Sequence, residues 1–508
     1  MTTRMITTHE RGDSMNEHLD TLEPQPLWRH FRILCETPRP SGREEALVSH
    51  LEAWADSQGL AYDRDSFGNL RICKPATTGH ESAPGIILQG HLDMVAEANA
   101  SHDHDFTRDP IDTYIADGWL RARGTTLGAD NGLGVAAALA ILEDTSLIHG
   151  PLEALFTLQE ETSMGGALAL DDNWLDGDIL LNLDSEDREQ VFIGCAGGAD
   201  VVVEAGLPTQ DVQVDESIVN VALTGLQGGH SGLDIHKGLG NANRLLVRVL
   251  RHLQTYDARL IDYRGGALRN AIPREAFATL AMPAGAIDAA SAMVDELQSV
   301  FRTELQGVDD AVSVSLSPVE TSHTEQALTP PASRYLINAL HAAPCGVERM
   351  STDVPGVVET SNNLGVVVLD NSRFYLCALV RSLRDSATQD MADRFAALFA
   401  LIGAETRVEN AYPGWTPDPE SPLLARFVQL HRDTLGKQAD AKVIHAGLEC
   451  GILGGKYPHL SMLSFGPQIR GAHSPDERVE LDSVPEFWRM LRTLIEDLAT
   501  ADPASRHE

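Results

Sequence analysis

Five residues of this chain carry groups that hold metal ions and sit at the ends of apolar runs, in the order His91, Asp130, Glu161, Asp184 and His473. Two more carboxylates lie beside them: Asp93, two residues after His91, and Glu160, next to Glu161. Neutral imidazole and carboxylate oxygen are both good zinc ligands. The inventory suits two Zn²⁺ ions bridged by one carboxylate, with a spare glutamate free to act as a base. Three carboxylates and one hydroxide would balance the four positive charges. In the arrangement this favours, Asp130 bridges, one ion takes His91 and Asp184, and the other takes Glu161 and His473. Glu160 is then the base that removes a proton from the attacking water and returns it to the leaving group. Asp93 fits a hydrogen bond to the free ring nitrogen of His91, fixing its tautomer.

Each residue alone has a plainer reading. A strand-terminal acid is usually solvated, and a Glu-Glu pair is commonly surface charge. Asp130, in Gly-Ala-Asp-Asn-Gly, could be only a helix N-cap. The ordered set of five is what points to a metal centre. One geometric demand follows from Glu160 and Glu161 being adjacent. Neighbours in an extended segment point to opposite sides, so the strand end before them must twist.

The elements that must position these groups alternate between helix and strand. Residues 43–58 carry apolar positions at helical spacing, and 85–89 form a short apolar strand. Residues 132–142 form an Ala-rich helix, and 152–158 and 178–183 are further strands. Such alternation predicts an α/β domain with a mixed, largely parallel sheet covered by helices. Its motif residues then fall at carboxyl ends of strands, where open α/β sheets place their sites. From about residue 202 the texture changes to alternating strands and amphipathic helices, close to β-α-β-β-α-β. The stretch 329–411 repeats that plan. We read 24–201 with 413–508 as a discontinuous catalytic domain. Residues 202–412 form an inserted α+β domain of doubled plan, and 1–23 a disordered N-terminal extension.

Composition sets the remaining bounds. A chain of 508 residues is too long for one small core. The net charge of −35 argues against nucleic acid or an anionic membrane as partner. No apolar run reaches the roughly 20 residues that cross a bilayer, and the first residues lack the apolar stretch of a signal peptide. The six cysteines are scattered without CxxC spacing, so neither a disulfide framework nor a cysteine zinc site is expected. A reducing cytoplasm fits best.

Several strings carry a resemblance. They are Gly90-His91-Leu92-Asp93, Gly128-Ala129-Asp130-Asn131-Gly132, Glu160-Glu161, Leu183-Asp184-Ser185-Glu186 and Ala472-His473-Ser474. Longer ones are GLQGGHSG from 225, LRNAIPREAFAT from 268, AYPGW from 411, HAGLECG from 445 and HSPDE from 473. Over residues 24 to 495 the sequence resembles the co-catalytic zinc peptidases that include carboxypeptidase G, aminoacylases and carnosinases, and within them a dipeptidase branch. The resemblance implies hydrolysis of unblocked dipeptides, Xaa-His dipeptides included, by a homodimer with two Zn²⁺ per chain. Carboxylate–imidazole sites also accept Co²⁺ or Mn²⁺.

It implies too that 202–412 is a lid that closes over the substrate, that Asp130 bridges, that Glu160 is the base and that Asp93 orients His91. His230 would come from the lid to stabilise the oxyanion, its flanking glycines allowing close approach. Asn270 and Arg381 would hold the substrate's carboxylate side, and Gly447 and Glu449 would form pocket wall. The alternative for Arg381 is an ion pair with Asp385 or Glu359. Thr162-Ser163 and Ser361-Asn362-Asn363 depart from the expected pattern. A deacylase or carboxypeptidase on the same scaffold is the alternative activity, separated by whether a free amino terminus is required.

Overall fold

The computed structural model describes residues 15–319 and 326–500. They divide into two compact units. One runs through Ile193, then Asp418–Lys442, then from Ile452 onward; the other is Gly194–Pro417 with Val443–Gly451. The expected crossings near 202 and 413 lie close to these divisions. The segment 443–451 is a correction, because the sequence reading leaves it wholly in the first domain. Its bonds explain the reassignment: Ile444 O accepts from Ala196 N at 3.0 Å, and His445 Nε2 lies 2.8 Å from Ser361 Oγ.

The first unit is built on an eight-stranded sheet. Its order is Ala61–Arg64, Leu70–Lys74, Leu152–Thr157, Ile86–His91, Ile179–Asn182, Ser461–Ser464, Gln190–Cys195 and Asp440–Ile444. The strands from Leu152–Thr157 through Ser461–Ser464 pair in parallel, and antiparallel pairs flank them. Ile86–His91, Leu152–Thr157 and Ile179–Asn182 are buried at every position, as parallel strands covered on both faces must be. The helix Ala129–Glu143 is apolar nearly all round and is buried accordingly, packing on Gln25–Glu36 and on the strand Ile86–His91.

Residues 15–23, expected to be disordered, are ordered. Leu19 is fully buried in the turn Glu17–Thr21. Asn16 Nδ2 donates to Ile111 O at 2.9 Å, and its Oδ1 accepts from Thr113 N at 2.9 Å. The apolar anchor and the amide are joined by an ion pair of Asp20 with Arg32 at 3.2 Å and a contact of His18 Nε2 with Thr113 Oγ1 at 3.1 Å. The remainder of the expected extension, 1–14, lies outside the described residues.

In the second unit the doubled plan closes into one nine-stranded sheet. The halves join where Arg259–Gly265 pairs antiparallel with Val358–Asp370. The helices Ala242–Leu253, Ile287–Glu304, Pro330–Ala342 and Asp385–Ala400 bury Leu250, Phe301, Leu336 and Phe395 in one shared apolar core. No helix among the described residues is long and apolar enough to cross a membrane.

Candidate metal centre and substrate site

The strand Ile86–His91 delivers His91 to the carboxyl edge of the first unit's sheet. There His91 Nε2 lies 3.1 Å from Asp130 Oδ1 and 3.4 Å from Asp184 Oδ1. The other oxygen of Asp130 faces a second imidazole: His473 Nε2 is 3.3 Å from Asp130 Oδ2 and 2.9 Å from Glu161 Oε2. The five residues therefore form two trios that share Asp130, and within each trio the candidate ligand atoms lie within 4.8 Å of one another. Two donors about 2.0 Å from one tetrahedral ion lie about 3.3 Å apart. The observed separations match that spacing, and the nitrogen–oxygen donor set suits zinc. The residues fit two ions.

The charge balance agrees. Burial opposes a proton on His91, yet Asp184, Asp130 and Asp93 overcome it and hold the imidazole well above its usual value. Hydrogen bonds to Asp130 and Glu161 raise His473 to about 11. Burial would raise the Asp130 carboxyl, but the bonds from His473 and His91 pull it far below the carboxylate range. The cluster is an anionic pocket that favours positive charge at both imidazoles.

Glu160 and Glu161 both reach the site by a device other than the expected strand twist. Gln159 adopts left-handed backbone at φ 56°, and Glu160–Ser163 is a single helical turn. A carboxylate oxygen of Glu160 stays within 4.8 Å of the His91 and Glu161 ligand atoms. Asp93 anchors this turn as well as His91. Its carboxylate accepts from Glu160 N at 3.0 Å, Glu161 N at 3.2 Å and Ser41 Oγ at 2.6 Å. His91 Nδ1 lies 3.2 Å from the Asp93 carbonyl oxygen and 3.4 Å from Oδ1. Burial alone would raise the Asp93 carboxyl; His91 and these donors lower it to about 2.

Two positioning residues escaped the sequence reading. Glu477, only 2% exposed, accepts N–H bonds from Leu127, Gly128, Ala129 and Asp130 at 2.7–3.2 Å. One buried carboxylate thus saturates the loop that presents Asp130, four residues downstream of His473. Arg39 donates to the carbonyls of Leu92, Asp93 and Gly128, tying the His91 loop to the Asp130 loop. Gly128 must be glycine here: its φ is +69°, and an added Cβ would lie 2.6 Å from Arg39 Nη2. The signal for Glu477 was present in HSPDE, a string read only for its histidine.

The second unit gathers a different set. His230 Nδ1 accepts from Gly232 N at 3.2 Å and Leu233 N at 3.0 Å, which leaves the ring proton on Nε2. Burial lowers its pKa, and the charge of Arg381 lowers it further, so the ring is a neutral donor. A Cβ on Gly232 would meet His445 O at 2.1 Å, Arg381 Nε at 3.2 Å and His230 Cε1 at 3.2 Å, so only glycine lets these three converge. Asn270 is exposed, and its backbone carbonyl accepts from Ser231 N at 2.8 Å. Arg381 is 5% exposed, and its Nη1 donates to Tyr412 Oη at 3.0 Å. The alternative ion pair does not form: Glu359 pairs with Arg349 and Arg384, and Asp385 accepts from Gly414 N. Gly447 lies against the Tyr412 ring, and Glu449 is buried at the start of a helix.

The model of peptidase family M20/M25/M40 matches residues 87–497. The chain belongs to this family. It is an enzyme that hydrolyses peptide bonds and uses divalent metal. The cytosol non-specific dipeptidase of Escherichia coli (strain K12) is 44% identical over 481 residues, covering 94% of this chain and 99% of that protein. The crystal structure of aminoacylhistidine dipeptidase from Vibrio alginolyticus, at 44% identity, superposes with a TM-score of 0.88 over 94% of this chain and 97% of that one. Aminopeptidase PepT from Bacillus cereus, 15% identical, covers 94% of this chain and 100% of its own at a TM-score of 0.54, and shares the fold alone.

Proposed function

We propose that this peptidase cleaves unblocked dipeptides, Xaa-His dipeptides among them, as a cytoplasmic homodimer with two Zn²⁺ ions per chain. The observation that carries the reading is the carboxylate of Asp130, whose two oxygens face separate imidazole–carboxylate pairs. His91 and Asp184 would hold one ion, Glu161 and His473 would hold the other, and Asp130 would be shared. Bound ions polarise the scissile carbonyl and acidify the attacking water.

The chain's own groups do the rest. Asp93 accepts a hydrogen bond from the Nδ1–H of His91, which leaves the Nε2 lone pair for metal. Glu160 accepts a proton from water at its carboxylate and delivers it to the departing amine. His230, from the unit read as a lid, donates its Nε2–H to the developing oxyanion. Arg381 receives the substrate's terminal carboxylate, with Asn270 on the same side and Gly447 and Glu449 bordering the pocket.

The test is a panel of free dipeptides and N-acetyl amino acids, assayed on metal-stripped enzyme to which Zn²⁺, Co²⁺ or Mn²⁺ is restored singly. The reading predicts turnover of the dipeptides, restored by metal. Preference for the N-acetyl compounds would replace it with the deacylase.

A further inference from the structure

Arg381 is a nearly buried guanidinium with no carboxylate of the described residues within ion-pair distance. Its Nε has no hydrogen-bond partner among the described residues. A buried cation of this kind awaits an anion. Among the described residues its one side-chain hydrogen-bond partner is Tyr412, whose hydroxyl accepts from Nη1 at 3.0 Å. A hydroxyl that accepts one bond still has its own proton to give, and no acceptor for it stands among the described residues.

The fold goes to some length to put Tyr412 there. Its strand, Glu405–Tyr412, breaks register between Glu409 and Tyr412, with Asn410 at φ 49°, and the irregularity sets Tyr412 opposite Gly198. A side chain at either neighbouring glycine would collide with the phenol: a Cβ on Gly198 would lie 2.6 Å from Tyr412 Oη, and one on Gly447 2.8 Å from Cε2. The ring is wedged between two glycines with its hydroxyl on the guanidinium.

We propose that Tyr412 is a specificity-determining residue: its hydroxyl donates to the same substrate carboxylate that Arg381 receives. Together they select dipeptides with a free C-terminus. The proposal rests on the reading of Arg381 as carboxylate receptor.

The experiment measures KM and kcat for a dipeptide and for its C-terminal amide with the metal-loaded full chain, Tyr412→Phe, Arg381→Ala and the double variant. Loss of a hydrogen bond to a charged group should raise KM for the free acid about tenfold in Tyr412→Phe. The amide's KM should move far less, and the effect should fall on KM rather than kcat. The same loss should persist when Tyr412→Phe is made in the Arg381→Ala background. Equal effects on acid and amide would overturn the proposal. So would disappearance of the effect in that background, which would make Tyr412 only a support for Arg381. If Arg381→Ala leaves the preference for the acid intact, the carboxylate-receptor reading itself fails, a result distinct from failure of Tyr412 alone.

Discussion

The two units carry clusters of opposite electrical character. In the first unit, Asp130, Glu161, Asp184, Glu160 and Asp93 gather around two histidines, and their charge favours a cation between them. In the second, His230, His445 and Arg381 gather where the described residues offer Arg381 no counter-carboxylate, and both imidazoles are held neutral. In the proposed function the first cluster takes cations, and the second takes an anion or a developing negative charge. On that proposal, a dipeptide under hydrolysis, with its developing oxyanion and its terminal carboxylate, supplies both negative charges. Each can be broken separately.

The largest effect should come from Glu160→Ala, which removes the proton carrier and leaves the ligands in place. Turnover should fall by about 10²–10⁴-fold, with metal content by mass spectrometry unchanged; loss of metal would make Glu160 a ligand. His230→Ala should lower kcat by about 10²–10³-fold without changing metal content, separating the second cluster from the first. Glu477→Gln should weaken metal retention on dialysis by about 10–100-fold, because an amide NH₂ would face N–H donors of the Asp130 loop. Excess metal should restore part of its activity. An unchanged metal affinity would show that this loop holds its shape without the carboxylate.

The smallest test is of pH. Burial, then the charges of Arg381, His236 and His230, push His445 down to about 3. An unfolded imidazole titrates near about 6.5, so between these values the unfolded chain binds a proton that the folded one refuses. Stability from this residue is fully present above pH 6.5 and falls as the pH drops, by at most about 1.4 kcal/mol per pH unit. Urea unfolding from pH 7 to 5 should show this slope, and His445→Gln should flatten it.

Much of this was legible in the sequence. Apolar runs marked the strands that end at His91 and before Asp184, and the acid–histidine order marked the ligands. What stayed hidden was what the backbone does between side chains. Glu477 and Arg39 act on peptide groups rather than on other side chains, so no residue pattern announces them. Gln159 turns left-handed where the sequence suggested a twisted strand. Tyr412 is aimed by an irregularity of register that alternation cannot reveal. Segment 443–451 joins the second unit through the carbonyls of Ile444 and Leu448 and the ring of His445, bonds invisible to composition.

The most direct measurement is an anomalous-scattering map at the zinc edge from crystals of the zinc-loaded enzyme. The account predicts two peaks per chain, about 3.5–4 Å apart, one on each side of the Asp130 carboxylate. A single peak, or peaks away from Asp130, would contradict it.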